Sequence, residues 1–127
     1  MKENILEIEK YAKENNVPII EKDSICYIMQ YIKEHNVKSI LEIGSAIGYS
    51  SILMASSNPD TVVTTIERDE QRYMECLKNI KKCGLDKKIN VVYQDALELN
   101  LTGVSYDLIF IDAAKGQYTK FFFKEFS

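Results

Sequence analysis

Apolar positions along the chain follow two periods, and the switches between them mark the elements. Residues 3–15 put Ile5, Leu6, Ile8, Tyr11 and Ala12 roughly on one side of a helix, which Asn15, Asn16 and Pro18 end. Ile25, Ile28, Met29 and Ile32 form the stripe of a second helix, with Asp23 or Ser24 as its cap. Val37 to Ile43 then predicts a short strand, Gly48 to Ser57 a helix and Asn58-Pro59-Asp60 a turn. TVVTTI, from Thr61 to Ile66, is β-branched throughout and predicts a strand. Asp69 can cap a helix running to about Cys83, and Gly84 stands where a helix stop takes a residue of positive φ. Ile89 to Tyr93 predicts a third strand and Tyr106 to Ile111 a fourth. Gly116 to Ser127 predicts the opening of another helix, with Tyr118, Phe121, Phe122 and Phe126 as its apolar face.

Strands alternate with helices, and most strands are apolar on both faces. That pattern predicts an α/β fold, a parallel sheet covered by helices on both sides. Ligands of such sheets bind outside the carboxyl ends of the strands, near the switch in strand order. The residues at those ends therefore matter most. The first strand is followed by Gly44-Ser45-Ala46-Ile47-Gly48, the second by Glu67, the third by Asp95 and the fourth by Asp112. Any one acid there would suit a helix cap. A glycine loop and three acids on one edge predict a polar ligand carrying hydroxyls and amines.

Each position suggests a chemistry. Gly44 and Gly48 allow close backbone approach and a sharp turn into the next helix. Glu67 lies 23 residues after Gly44, near the spacing at which an acid accepts the ribose hydroxyls of a nucleoside. Asp95 can accept from an adenine amine. Glu42 would be costly if buried alone, so it is expected to face a cation or a set of backbone donors. A dinucleotide site would need Gly-x-Gly-x-x-Gly, whereas this loop is Gly-x-x-x-Gly ringed with acids. A cationic ligand fits that edge better than a diphosphate.

Composition narrows the setting. The 127 residues suffice for one domain, and 46% hydrophobic with 28% charged residues fits a folded globular chain. A net charge of −3 gives no support for a strongly basic nucleic-acid binder, and no apolar run approaches the roughly 20 residues of a membrane span. Cys26, Cys76 and Cys83 are odd in number and form no CxxC pair, so free thiols and a cytoplasmic location are expected.

Four segments carry a resemblance: LEIGSAIGYS, TTIERDE, QDALEL and FIDAAKGQY. Together they closely resemble class I S-adenosylmethionine-dependent O-methyltransferases. The nearest branch is the metal-dependent, catechol O-methyltransferase-like one, including bacterial enzymes of the tRNA 5-hydroxyuridine type. The resemblance spans about Tyr11 to Phe122 and implies a Rossmann-like methyltransferase domain over 1–127. It implies S-adenosylmethionine as cofactor, with Glu42 and Gly44 lining its methionine end and Ser45 and Gly48 also cofactor-binding. Tyr49 and Ser50 would hold its carboxylate or amino group, Glu67 its ribose, and Asp95 and Ala96 its adenine. Ile20 would make a backbone contact to it. Asp112, also at the cofactor, would be a ligand of magnesium, and Lys115 the base that deprotonates the acceptor hydroxyl. The acceptor would be a catechol-like phenol or a tRNA, and the protein a homodimer.

In that family a further strand carries an Asp-Asn pair that completes the metal site. This sequence is expected to stop before it, leaving a partial domain with C-terminal strands missing, an unfinished metal site and the fourth strand open at its edge. Such a chain is expected to bind the cofactor weakly and not turn over. The competing expectation is a non-catalytic nucleotide-binding or interaction module that self-associates through the open edge.

Overall fold

The computed structural model describes residues 1–95, 98, 105–112 and 119–123, with the backbone alone at 112 and 119–123. Two helices come first, α1 (Lys2–Glu14) and α2 (Lys22–Glu34). β1 (Ser39–Ile43), α3 (Tyr49–Ala55), β2 (Val62–Glu67), α4 (Glu70–Lys82) and β3 (Ile89–Tyr93) then alternate. β4 (Leu108–Asp112) and β5 (Thr119–Phe123) follow. The sheet order is β3-β2-β1-β4-β5. β1 pairs in parallel with both β2 and β4, and β3 is parallel to β2. The chain steps outward from β1 to β3, then returns to the other side of β1. The switch point therefore lies at the carboxyl ends of β1 and β4.

The helical stripes close the core. Ile8 and Ala12 of α1 are buried, as are Ile25, Ile28 and Ile32 of α2. They join Ile40, Ile52, Val63, Ile80, Leu108 and Phe110 in one apolar cluster. α1 packs on α3 and α4, and α2 packs on α3. Asn16 ends the α1 segment in the left-handed region at φ 54°, and Gly84 follows α4 at φ 71°. The Asp69 side chain caps α4 by accepting from Arg72 N at 3.0 Å. Among the described residues no helix is long and apolar enough to cross a membrane.

Two expectations fail. α2 is capped by neither Asp23 nor Ser24. It starts earlier, with Glu21 as N-cap and no side-chain cap bond, because Ile25 N already reaches Glu21 O at 3.0 Å. Asp23 sits in the first turn, where its charge favours the helix dipole. The second failure is larger. Thr119–Phe123, expected to be helical, is the strand β5, antiparallel to β4 with Ile109 opposite Phe122 and Phe110 opposite Phe121. An apolar strand edge needs a partner, and a run of three phenylalanines after threonine suits a pleated surface. The β4 edge expected to be open is thus paired within the chain, and β5 is the outer strand on that side.

Candidate functional site

The loop after β1 is bent by three left-handed residues: Gly44 at φ 96°, Ala46 at 47° and Gly48 at 90°. Glycine is required twice over at position 48, since a Cβ there would also stand 3.1 Å from Cys76 Sγ. Ala46 has no such licence, and its conformation costs about 1–2 kcal/mol. External bonds hold the loop in shape. Gly44 N and Ser45 N both donate to Ile66 O, at 2.8 and 3.1 Å. Ala46 N donates to Glu67 Oε1 at 2.7 Å. Gly48 N closes the turn on Ser45 O at 2.9 Å.

Glu67 ends β2 beside this loop and is 7% exposed. Its second oxygen accepts from Arg68 N and Asp69 N at 3.1 and 3.0 Å. Three backbone N–H groups therefore hold the carboxylate at a fixed place. A carboxylate offers about four acceptor sites, so Oε1 keeps capacity for a hydroxyl donor.

Glu42 is different. It is 0% exposed, and three of its partners are side-chain hydroxyls. Ser50 Oγ donates to Oε2, Ser51 Oγ donates to Oε1, and Thr65 Oγ1 donates to Oε1 at 2.6 Å. The register sets this up: Glu42 stands opposite Thr65 on the parallel pair, and the first turn of α3 folds back over the end of β1. Thr65 has spent its only proton on Glu42, so Ser45 Oγ donates to Thr65. Cys76 packs at the far end of this chain of hydroxyls. Burial first, then the Glu42 and Glu67 charges, push its thiol up, so it stays protonated.

The remaining expected residues are placed as follows. Gly44 is half-buried at the switch point, and Ser45 and Gly48 are buried in the loop. Tyr49 is buried, and its phenol donates to Glu9 Oε2 of α1 at 2.6 Å. Burial and that carboxylate push the phenol up. Ser50 turns its hydroxyl to Glu42, as above. Ile20 is buried in the extended segment before α2. Asp95 lies beyond β3, half-buried, where Gln94 N bonds Glu67 O at 3.0 Å. The backbone of Asp112 ends β4, one residue past the Ile43–Ile111 pair and so level with Gly44. Ala96 and Lys115 lie outside the described residues. The structure thus gathers the glycine loop, Glu67 and the Asp112 backbone at one edge. Among the described residues no group of three or more His, Cys, Asp or Glu side chains is arranged to hold a metal ion.

Sequence reasoning missed Ser51, Thr65, Cys76 and Asn79. Ser51 and Thr65 complete the Glu42 shell. Asn79 Nδ2 donates to Ile47 O at 2.8 Å. A buried Asn within an apolar helix stripe was the available signal, since such a side chain needs a partner.

Known proteins resemble this chain in sequence and in fold. The Tapetum-specific methyltransferase 1 of Arabidopsis thaliana is 34% identical over 122 residues, covering 90% of this chain and 51% of its own length. A catechol O-methyltransferase of Niastella koreensis is 35% identical over 91 residues, covering 67% of this chain and 41% of its own. The crystal structure of an O-methyltransferase from Bacillus cereus in complex with SAH superposes with a TM-score of 0.77 at 24% identity, covering 87% of this chain and 54% of that one. At that identity it shows the shared fold. The chain spans about half the length of the first curated relatives it matches. A sequence model described as O-methyltransferase matches residues 3–127, and the chain belongs to that family.

Proposed function

We propose that this chain forms the cofactor-binding part of an S-adenosylmethionine-dependent O-methyltransferase. The observation that carries the reading is the Glu67 carboxylate. It is pinned by three backbone N–H groups at the switch-point edge, one of them from the strained glycine loop itself. A preset acceptor beside a close-approach loop suits a ribose, and an edge rich in carboxylates suits a sulfonium. The cofactor would supply a methyl group made electrophilic by its positive sulfur. Glu67 would orient the ribose, Gly44 and Ser45 would let the methionine end lie against the backbone, and Asp95 with Ala96 would border the adenine.

The acceptor in this reading is a hydroxyl on a catechol-like phenol, supported by the catechol O-methyltransferase among the relatives. A tRNA 5-hydroxyuridine is the other acceptor that the resemblance carries, and the net charge of −3 weighs against it. Lys115 would take the hydroxyl proton. For magnesium, Asp112 offers a single carboxylate position, while octahedral binding takes about six oxygen ligands. The described residues do not supply that set. A homodimer is part of the same reading, and sedimentation of the chain tests it.

Calorimetric titration with S-adenosylhomocysteine, with and without magnesium, tests the reading. Saturable one-site binding that is indifferent to magnesium is expected. A folded chain that binds no S-adenosylhomocysteine would sink it. Methyl transfer to a catechol against transfer to tRNA separates the two acceptors in a preparation that turns over.

A further inference from the structure

Asn79 lies at the start of the last turn of α4 and belongs to no motif at the sheet edge. It is 7% exposed, and asparagine is a poor helix former that is costly to bury without a partner. Its amide reaches out of the helix to the Ile47 carbonyl, 32 residues away in sequence, at 2.8 Å. A carbonyl accepts only, so the amide nitrogen must be the atom that faces it. One helical turn earlier, Cys76 meets Gly48 from the same face of α4.

These contacts divide the loop. β2 holds its first half: Ile66 O takes Gly44 N and Ser45 N, and Glu67 takes Ala46 N. The second half depends on α4. The peptide joining Ile47 to Gly48 carries one carbonyl and one N–H. Asn79 holds the carbonyl, and Ser45 O holds the N–H. Gly48 at φ 90° is free to adopt either sign of φ, so this peptide is the one in the loop most able to flip. A flip would break the turn onto Ser45 and point a carbonyl where the N–H now lies.

We propose that Asn79 is a positioning residue for cofactor binding: by fixing the Ile47 carbonyl it keeps the Ile47–Gly48 peptide, and with it the glycine loop, in the ligand-receiving conformation. The role rests on the cofactor reading above. It requires no contact between Asn79 and the ligand.

The test compares the full chain with Asn79→Leu and Asn79→Asp, which remove the donor at similar side-chain volume. Two quantities are read: the Kd for S-adenosylhomocysteine, and hydrogen exchange at the Gly48 amide without ligand. Both variants are expected to weaken binding about tenfold or more (about 1.4 kcal/mol). The Gly48 amide is expected to lose protection while the amides of β1 and β2 keep theirs. Folded variants that bind like the parent, or that keep Gly48 protected, would overturn the proposal. So would a loss of protection across the whole sheet, which marks a residue needed only for stability. If Asn79→Asp does not fold, Asn79→Leu decides alone, since it buries no charge. A parent chain that binds no S-adenosylhomocysteine defeats the cofactor reading instead, and the Gly48 exchange still judges whether Asn79 holds the loop.

Discussion

Glu42 and Glu67 stand at the ends of adjacent strands, and both are almost wholly buried, yet they are built for different work. Glu42 is enclosed by hydroxyls from three other positions, Ser50, Ser51 and Thr65, drawn from α3 and β2. Among the described residues, Glu67 is held by backbone N–H groups of its own and the neighbouring loop, with acceptor capacity left on one oxygen. Side-chain donors that converge on a carboxylate from different elements tie those elements together. Backbone donors from the two flanking loops leave the carboxylate placed and presentable. The first acid therefore ties the edge together, and the second stands where the proposed reading places a ligand.

Substitution at Glu42 is the strongest way to break this contrast. Glu42→Ala leaves three buried hydroxyls without their acceptor, and bonds to a charged group are each worth about 1.5–3 kcal/mol. A stability loss of about 3 kcal/mol or more is expected in urea unfolding, against about 1–2 kcal/mol for Glu67→Ala, whose donors lie in two loops that reach solvent. Equal losses would erase the distinction. Gly48→Ala comes next. Its Cβ would meet Cys76 Sγ at 3.1 Å in a left-handed backbone, and a loss of about 2 kcal/mol is expected. Adding Cys76→Ala should recover the steric part and leave the backbone part.

The network also has a pH signature. A thiol in the unfolded chain ionises near its ordinary value of 9.0, whereas burial and two nearby carboxylates hold Cys76 protonated in the fold. Above that pH the unfolded state binds fewer protons than the native one, so stability falls as pH rises. The slope is at most about 1.4 kcal/mol per pH unit from this group, and below 9 it vanishes. Cys76→Ala should flatten thermal unfolding temperatures measured on the alkaline side and leave the neutral slope alone. The smallest effect is expected at Ala46, whose φ of 47° suits glycine better. Ala46→Gly should stabilise the chain by up to about 1 kcal/mol, read in the same urea unfolding.

Much of this edge was legible from the chain. The two periods located α1 to α4 and β1 to β4, because each element buries one continuous apolar set. Asp69 as a cap and Gly84 as a stop were readable since both act within one turn of themselves. The spacing from Gly44 to Glu67 placed the second acid beside the loop. What the chain did not disclose depends on register. Glu42 meets Thr65 only because β1 and β2 pair with those residues opposite, and no local pattern states that pairing. The same holds for Asn79, whose partner lies 32 residues away across a helix–loop contact. β5 was misread for a related reason. A short aromatic run fits a helix face or a strand, and the unpaired side of β4 decided between them. Ala96 and Lys115 lie outside the described residues, so their roles rest on the resemblance alone.

The central claim is that Glu67 serves a ligand while Glu42 serves the fold. Titration of S-adenosylhomocysteine into the parent chain and into folded Glu67→Ala tests it most directly. The parent should saturate at one site, and the variant should lose affinity by about a hundredfold or more, near 2.7 kcal/mol. A variant that binds as tightly as the parent would contradict the account.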